Sequence, residues 1–306
     1  MNKSIVVYHK NCLDGFGAAF AAWKSGKVKE VIFCALDYSD RDSWMREWLP
    51  KLELNAYDLY ILDFSFSKDH TSQLIDLCNK FVWLDHHKSA FEEHGLLEYF
   101  NNGEYYIGGD ETNTILLSPN LNSGAYLAWE YFHQEAHVPP FIKFIDDRDR
   151  WKFLIPNTKE FCLALSQLPQ DFRIWNESVW DWYDLVEKGL VIQEYYDTQL
   201  ERSVAATKEY CNILGNEGLC CNLPPLFASE AGNLLAKKSG TFGATWYKDS
   251  KGNIKWSLRS IGDYDVAAIA RQFGGGGHTN AAGFTLTPDS GETISGVKLW
   301  HTNTSN

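Results

Sequence analysis

The 306-residue chain contains no apolar run of 18 residues, so no segment is expected to cross a membrane as a helix. It has no surplus of positive charge. The formal net charge is −12, and an acidic protein gains little from counterion release on a long nucleic-acid duplex. A small phosphate ligand held by a metal and a few cations remains compatible with that balance. The seven cysteines (Cys12, Cys34, Cys78, Cys162, Cys211, Cys220, Cys221) are odd in number and form no C-x-x-C pair. That argues against a disulfide or zinc framework and for mostly reduced thiols. The opening residues offer only a four-residue apolar stretch and no cleavage site, so no secretory signal is expected and a cytoplasmic location is. No internal repeat stands out, and the one tract of low complexity is a run of four glycines.

What is present is globular: 44% hydrophobic and 22% charged residues, in a length that holds two domains. The acid is unevenly placed. Residues 1–214 carry 20 Lys and Arg against 33 Asp and Glu, whereas residues 215–306 carry 8 against 7. Solubility accounts for most of that excess.

The first half alternates strand-like and helix-like segments: strands Ser4–Tyr8, Val31–Leu36, Asp58–Leu62 and Phe81–Leu84, and helices Asp14–Lys24, Asp42–Lys51 and Ser67–Asn79. In the second of those helices Trp44, Trp48 and Leu52 recur at i, i+4, i+8. Such βαβ alternation predicts a parallel sheet covered on both faces. From Ser123 the pattern is helical. Pro139 and Pro140 open a helix that delivers Asp146, Asp147, Arg148 and Asp149, and Lys188–Leu214 reads as one long connecting helix. The segment Phe172–Leu185 is dense in aromatics, which suit a core or dimer contact better than base stacking. Gly215-Asn216 and Pro224-Pro225 mark a boundary, beyond which Glu230–Lys238 and Asp265–Phe273 read as helices and Phe242–Tyr247 and Ile254–Ser260 as a strand hairpin. The expected organisation is a domain over 1–187, a connecting helix over 188–214 and a smaller α+β domain over 215–306.

Several apolar segments end in potential ligands. Phe81–Leu84 runs into Asp85-His86-His87, Ser4–Tyr8 into His9 and then Asp14-Gly15, Asp58–Leu62 into Asp63, and Phe141–Ile145 into the Asp146–Asp149 cluster. In open α/β sheets ligands bind outside the carboxyl ends of the strands. Carboxylate plus imidazole suits Mn²⁺, Fe²⁺ or Zn²⁺. Capping explains one such ending, while four in one domain predict a shared metal site.

The second half carries Gly274-Gly275-Gly276-Gly277-His278-Thr279-Asn280-Ala281-Ala282-Gly283. Four successive glycines cost backbone entropy, and their use is close approach to a ligand. The residues from His278 can start a short helix whose free N–H groups favour a phosphate. His278 can donate to a phosphoryl oxygen, and Arg259 can pair with phosphate in bidentate fashion.

On these residues the chain resembles the DHH phosphoesterase superfamily, which includes RecJ-type exonucleases, nano-RNases, cyclic-dinucleotide phosphodiesterases and exopolyphosphatase-like members. The first domain matches through His9, Asp14-Gly15, Asp63, Asp85-His86-His87 and Asp147. The second resembles the DHH-associated domain through Ser257-Leu258-Arg259-Ser260 and Gly274–His278 with Ala281–Phe284. The resemblance implies two Mn²⁺ ions, with Mg²⁺ or Co²⁺ able to substitute, in a cleft between the domains. Carried over, Asp85 bridges the ions, His9, Asp14, Asp63 and Asp147 complete their ligands, and Asp85, His86 and His87 form the catalytic set. Within that set His86 stands beside the ions or contacts substrate, and His87 orients the site. Arg259, Gly275, Gly276, Gly277 and His278 bind substrate. One departure stands out: the first family motif carries His and then two aspartates separated by one residue, whereas His9–Phe16 has one. Either Asn11 or Cys12 fills the missing role, and one metal position is expected to be weakened. Asp147 is preferred as ligand over Asp149, which would pair with a basic neighbour.

The expected function is metal-dependent hydrolysis of phosphodiester bonds in short single-stranded oligonucleotides or small nucleotide phosphates by water attack between two metals. The alternatives are an exopolyphosphatase-like phosphoanhydride hydrolase and, outside enzymes, a metal-bound nucleotide sensor. The aromatic stretch Trp175–Tyr183 leans towards nucleotides, since polyphosphate offers nothing to stack. A homodimer is compatible with the sequence.

Overall fold

A computed structural model describes residues 3–51, 54–134 and 137–287 and the backbone of 297–300. The chain divides into two compact units, Met1–Gln193 and Glu194–Asn306. In the first unit the order is β1 (Lys3–His9), α1 (Leu13–Ser25), β2 (Ile32–Leu36), α2 (Arg41–Glu47), β3 (Tyr57–Leu62), α3 (Lys68–Leu77), β4 (Lys80–Asp85), α4 (Lys88–His94), α5 (Leu97–Asn102), β5 (Tyr106–Gly109), β6 (Asn113–Leu117), α6 (Gly124–His133), α7 (Pro140–Asp149), α8 (Thr158–Leu165) and α9 (Phe172–Ser178). The long helix α10 (Trp182–Thr207) leads out of it.

The strands form one sheet in the order β2-β1-β3-β4-β6-β5, parallel except for the edge pair β5–β6. Apolar runs such as Ile5–Val7 and Phe81–Leu84 are buried on both sides because helices cover both faces. One face packs α1, α6, α7, α8 and α9 around Phe16, Phe20, Trp129, Phe141 and Trp175. The other packs α2, α3 and α4 around Trp44, Leu74, Trp83 and Phe91. The chain leaves β1 for β2 on one side, then returns to β3 on the other. The loops after β1 and β3 therefore diverge, which is the arrangement at which open α/β sheets bind ligands.

One expected stripe is corrected here. The α2 helix stops at Glu47, which leaves Trp44 buried but Trp48 exposed; Leu52 lies outside the described residues. The aromatic stretch is largely core. Phe172 stacks on Phe16 at 4.8 Å and on Trp23 at 5.6 Å between ring centroids, and Trp175 is fully buried, whereas Trp180 and Tyr183 are exposed. Trp175 therefore offers no ring to a base.

In the second unit, α10 is followed by β7 (Glu209–Ile213), β8 (Asn216–Asn222), α11 (Ala228–Ser239), β9 (Phe242–Lys248), β10 (Ile254–Ser260), α12 (Val266–Arg271), β11 (Gly276–His278), β12 (Ala281–Leu286) and β13 (Val297–Trp300). They build a seven-stranded sheet in the order β11-β12-β10-β9-β8-β7-β13, antiparallel except for β8 and β9. The long helix ends seven residues before Leu214, where the sequence predicted its end. Residues 209–213 alternate instead, with Cys211 and Ile213 buried and Tyr210 exposed, and Leu214 and Gly215 turn back at φ 51° and 87°. That two-residue turn with positive φ at both positions closes a hairpin. The expected hairpin at Asp249–Asn253 is present, with Asp249 Oδ1 accepting from the backbone N–H groups of Lys251 and Asn253. The chain is of mixed α/β class, and no helix among the described residues is long and apolar enough to cross a membrane.

Candidate functional site

The ends of β1, β3 and β4 bring His9, Asp63 and Asp85 together, and the α1 N-terminus adds Cys12 and Asp14. Glycines make this possible. A Cβ on Gly15 would lie 2.2 Å from the His9 carbonyl oxygen, so only glycine lets the first turn of α1 sit on the end of β1. A Cβ on Gly124 would lie 2.4 Å from Asp63 Cβ, so α6 also starts hard against the site. Asp63 itself has φ 53°, a left-handed conformation that Asp adopts more readily than most residues and that is often found at functional positions.

The imidazoles sit among carboxylates. His86 Nε2 lies 3.2 Å from Asp63 Oδ1 and 3.4 Å from both Asp14 Oδ2 and Asp149 Oδ2. His87 Nδ1 lies 2.7 Å from Asp85 Oδ1, which also accepts from the His86 backbone N–H at 2.7 Å. His9 Nδ1 is 3.7 Å from Asp63 Oδ2. Both Asp63 oxygens, Asp85 Oδ2 and His9 Nδ1 are buried with no well-aligned hydrogen bond among the described residues, Asp63 being faced by the imidazoles of His86 and His9. A buried carboxylate left with free lone pairs is costly. Within the first unit three sets of ligand-capable atoms each fall within 4.8 Å of one another: His9–Cys12–Asp63, Asp63–Asp85–His87 and Asp14–His86–Asp149. Asp63 belongs to two of them. Oxygen and nitrogen donors with vacant lone pairs fit divalent cations, so the residues present match the metal centre that the strand-end pattern implies.

Without a cation the cluster shares protons. Burial alone would raise the Asp63 carboxyl, but His86, His9 and the charge on His87 hold it well below the usual range. Burial would lower His9, yet Asp63 and Cys12 outweigh it and push its pKa to about 11. His86 is raised likewise by Asp14 and Asp63 against its burial. Asp14 rises to about 7, first through burial and then through the nearby Asp63 and Asp149 charges. Asp149, though exposed at the edge of the cluster, is raised by desolvation of its carboxyl and by the Asp63 charge, against the pull of His86. Burial also raises the Cys12 thiol.

The structure gathers His9, Asp14, Asp63, Asp85, His86 and His87, but it does not bring Asp147 to them. Asp147 accepts from Leu154 N–H at 2.8 Å, Ile155 N–H at 3.0 Å and Thr158 Oγ1 at 2.6 Å, so its carboxylate pins the loop after α7. Asp149 takes the position expected for it. It falls seven residues after Ile142 and four after Ile145, both buried, and that helical spacing could have identified it. Asp14 spends both oxygens on the first turn of α6, accepting from Gly124 N–H at 2.7 Å and Ala125 N–H at 2.9 Å, while still facing His86. Of the two residues proposed for the missing motif position, Cys12 joins the cluster. Asn11 is exposed at φ 56°. Sequence reasoning missed Gly124 and Tyr38. The Tyr38 ring walls the site, 5.4 Å from His9 and 5.8 Å from His87 between centroids.

In the second unit the Arg259 guanidinium donates to Ser229 Oγ at 2.9 Å and to the Leu258 carbonyl at 2.8 Å. The residues from His278 do not start a helix. Gly276–His278 form the edge strand β11, which turns through Thr279 and Asn280 into β12. Gly277 has φ 137°, and a Cβ on Gly275 would lie 2.1 Å from the Gly283 carbonyl, so these two glycines are required by the hairpin itself. Around Gly276 there is open space.

Residues 227–295 match the DHHA1 domain. An uncharacterized protein of Acanthamoeba polyphaga mimivirus is 31% identical over 302 residues, covering 92% of this chain and 67% of that protein. The oligoribonuclease NrnB of Bacillus subtilis is 25% identical over 313 residues, covering 92% and 73%. Among solved structures, RecJ of Thermus thermophilus in complex with Mn²⁺ aligns over 93% of this chain and 50% of its own, at 13% identity and a TM-score of 0.49. The chain belongs to the DHH phosphoesterase superfamily and carries the DHH-associated domain in its second half.

Proposed function

We propose that the protein is a two-metal phosphohydrolase that cleaves phosphodiester bonds in short oligonucleotides or small nucleotide phosphates. The observation that supports this reading above all is the set of buried carboxylate oxygens without partners, on Asp63 and Asp85, at the carboxyl ends of adjacent parallel strands. His9, Asp63, Asp85 and His87 would hold the cations, with Asp14 and Asp149 beside them. Divalent cations there supply Lewis-acid charge and lower the pKa of bound water to near neutrality. Manganese is the ion this reading prefers.

The chain's own residues then have distinct tasks. Asp85 Oδ1 fixes His87 through a 2.7 Å contact, which leaves Oδ2 for ligation. His86 Nε2, ringed by Asp14, Asp63 and Asp149, can hold a proton and offset the negative charge of the cluster. Arg259 and His278 would grip a phosphate of the substrate, as would the backbone of Gly275, Gly276 and Gly277. Preference for nucleotides now rests mainly on the oligoribonuclease relative, because within Trp175–Tyr183 the Trp175 ring is fully buried and Trp182 packs on the core.

The test is turnover of a generic phosphodiester with Mn²⁺, with and without chelator, followed by short RNA, short DNA, cyclic dinucleotides and polyphosphate. Chelator-sensitive turnover that is fastest on a short oligonucleotide is expected. Fastest turnover of polyphosphate would support a phosphoanhydride hydrolase, and metal binding without turnover a sensor.

A further inference from the structure

Cys12 occupies the place where the first motif runs short of a carboxylate. Its sulfur, an imidazole nitrogen of His9 and a carboxylate oxygen of Asp63 all lie within 4.8 Å of one another. Ligands at about 2.0–2.3 Å from a zinc-sized ion sit roughly 3.5 Å apart in a tetrahedron, so a small contraction closes the group on a cation. The partners are aimed and waiting: Asp63 is 1% exposed, and neither of its oxygens nor His9 Nδ1 has a hydrogen bond among the described residues. Capping does not explain the cysteine. It sits at the N-cap of α1 yet makes no side-chain capping bond, and Ser, Thr, Asp or Asn would serve that purpose better. Among the described residues no other cysteine joins a group of three metal-capable side chains.

Resting on the two-metal reading above, we propose that Cys12 is a thiolate ligand to one of the two ions. This makes the pair chemically unequal. The His9–Cys12–Asp63 position is borderline-soft and favours Zn²⁺, Co²⁺ or Fe²⁺. The Asp63–Asp85–His87 position offers only oxygen and nitrogen and suits Mn²⁺. On binding, the sulfur–metal bond forms, the S–H bond breaks and its proton leaves to solvent, so loading that position releases one proton that an all-carboxylate position would not.

The experiment titrates Co²⁺ into the metal-free full-length protein and follows the near-ultraviolet thiolate-to-cobalt charge-transfer band alongside bound cobalt by dialysis. The wild type should develop the band as cobalt saturates, and Cys162→Ser should keep it. Cys12→Ser should lose the band and bind its weaker cobalt about 10- to 100-fold less tightly, at least the loss that removal of an outer-sphere partner causes. Cys12→Asp should also lack the band, and should move the preference of that position from Zn²⁺ towards Mn²⁺. Cobalt binding with no band in the wild type, or an unchanged band in Cys12→Ser, overturns the thiolate ligand while leaving the two-metal reading intact. Failure of Co²⁺, Zn²⁺ and Mn²⁺ alike to bind overturns both.

Discussion

Two sets of buried aspartates lie within one unit and have opposite surroundings. In α7, Asp147 accepts three hydrogen bonds, and Asp146 accepts from Ser123 N–H and pairs with Arg150. At the strand ends, Asp63 has no hydrogen bond to either oxygen and Asp85 none to Oδ2, among the described residues. Both sets are removed from water. A buried carboxylate whose lone pairs are filled by the protein holds the fold together. One whose lone pairs are left open costs stability and is explained by a ligand that arrives later.

The sharpest way to break this comparison is to exchange the two kinds of substitution. Asp85→Ala should cut activity by about 10²–10³-fold or more, the scale of losing one group that stabilises a transition state, while circular dichroism shows a folded protein. An active Asp85→Ala protein removes the site. Asp147→Ala should behave in the opposite way. It strands the backbone N–H groups of Leu154 and Ile155, while the Thr158 hydroxyl keeps the Ile155 carbonyl, and should lower unfolding free energy by about 2–4 kcal/mol in denaturant titration while metal content stays at the wild-type level. Loss of metal with stability unchanged would return Asp147 to the ligand set.

Arg259→Ala comes next in size. A charge-assisted hydrogen bond to phosphate is worth roughly 1.5–3 kcal/mol, so kcat/KM on an oligonucleotide should fall about ten- to a hundred-fold with metal stoichiometry unchanged. An equal loss on a small chromogenic ester would mean that Arg259 acts through the fold of its own unit, where it already bonds Ser229.

The α7 aspartates also mark where sequence stops being legible. The parallel strands are readable because their apolar runs are short, continuous and buried on both faces, and the residues ending them can be named in advance. The choice between Asp147 and Asp149 turns on a rotation of roughly 200° about a helix axis, which adjacency in sequence does not reveal. Cys12 can be narrowed to one of two candidates, but only the left-handed turn at Asn11 decides which of them faces inward. The glycine run reads as a ligand loop and the residues from His278 as a helix start, yet together they form a strand hairpin, because Gly275 and Gly277 answer to β12, a partner that a local pattern cannot anticipate.

The smallest expected effect is a pH dependence of stability away from the site. His133 lies against Trp129, 3.9 Å between centroids, with Nε2 3.0 Å from the Ala21 carbonyl; burial lowers its pKa despite that carbonyl, and Lys27 and Lys24 lower it further. The unfolded chain therefore takes up the proton first as pH falls. The stability linked to His133 is fully present above its unfolded pKa of about 6.5 and declines below it. His133→Gln should flatten that decline in thermal melts between about pH 7 and 5, the window around that unfolded value. An identical slope would show that His133 is not held neutral.

The most direct test of the contrast between the two sets is metal content in a matched pair of variants. Asparagine tolerates the left-handed backbone at position 63, so Asp63→Asn removes charge with little strain. After equilibrium dialysis against Mn²⁺, Asp63→Asn should retain little or no bound metal, because Asp63 belongs to both ligand groups, while Asp147→Asn should match the wild type. Normal metal content in Asp63→Asn, or its loss in Asp147→Asn alone, would contradict the assignment of the open carboxylates to metal and the filled ones to the fold.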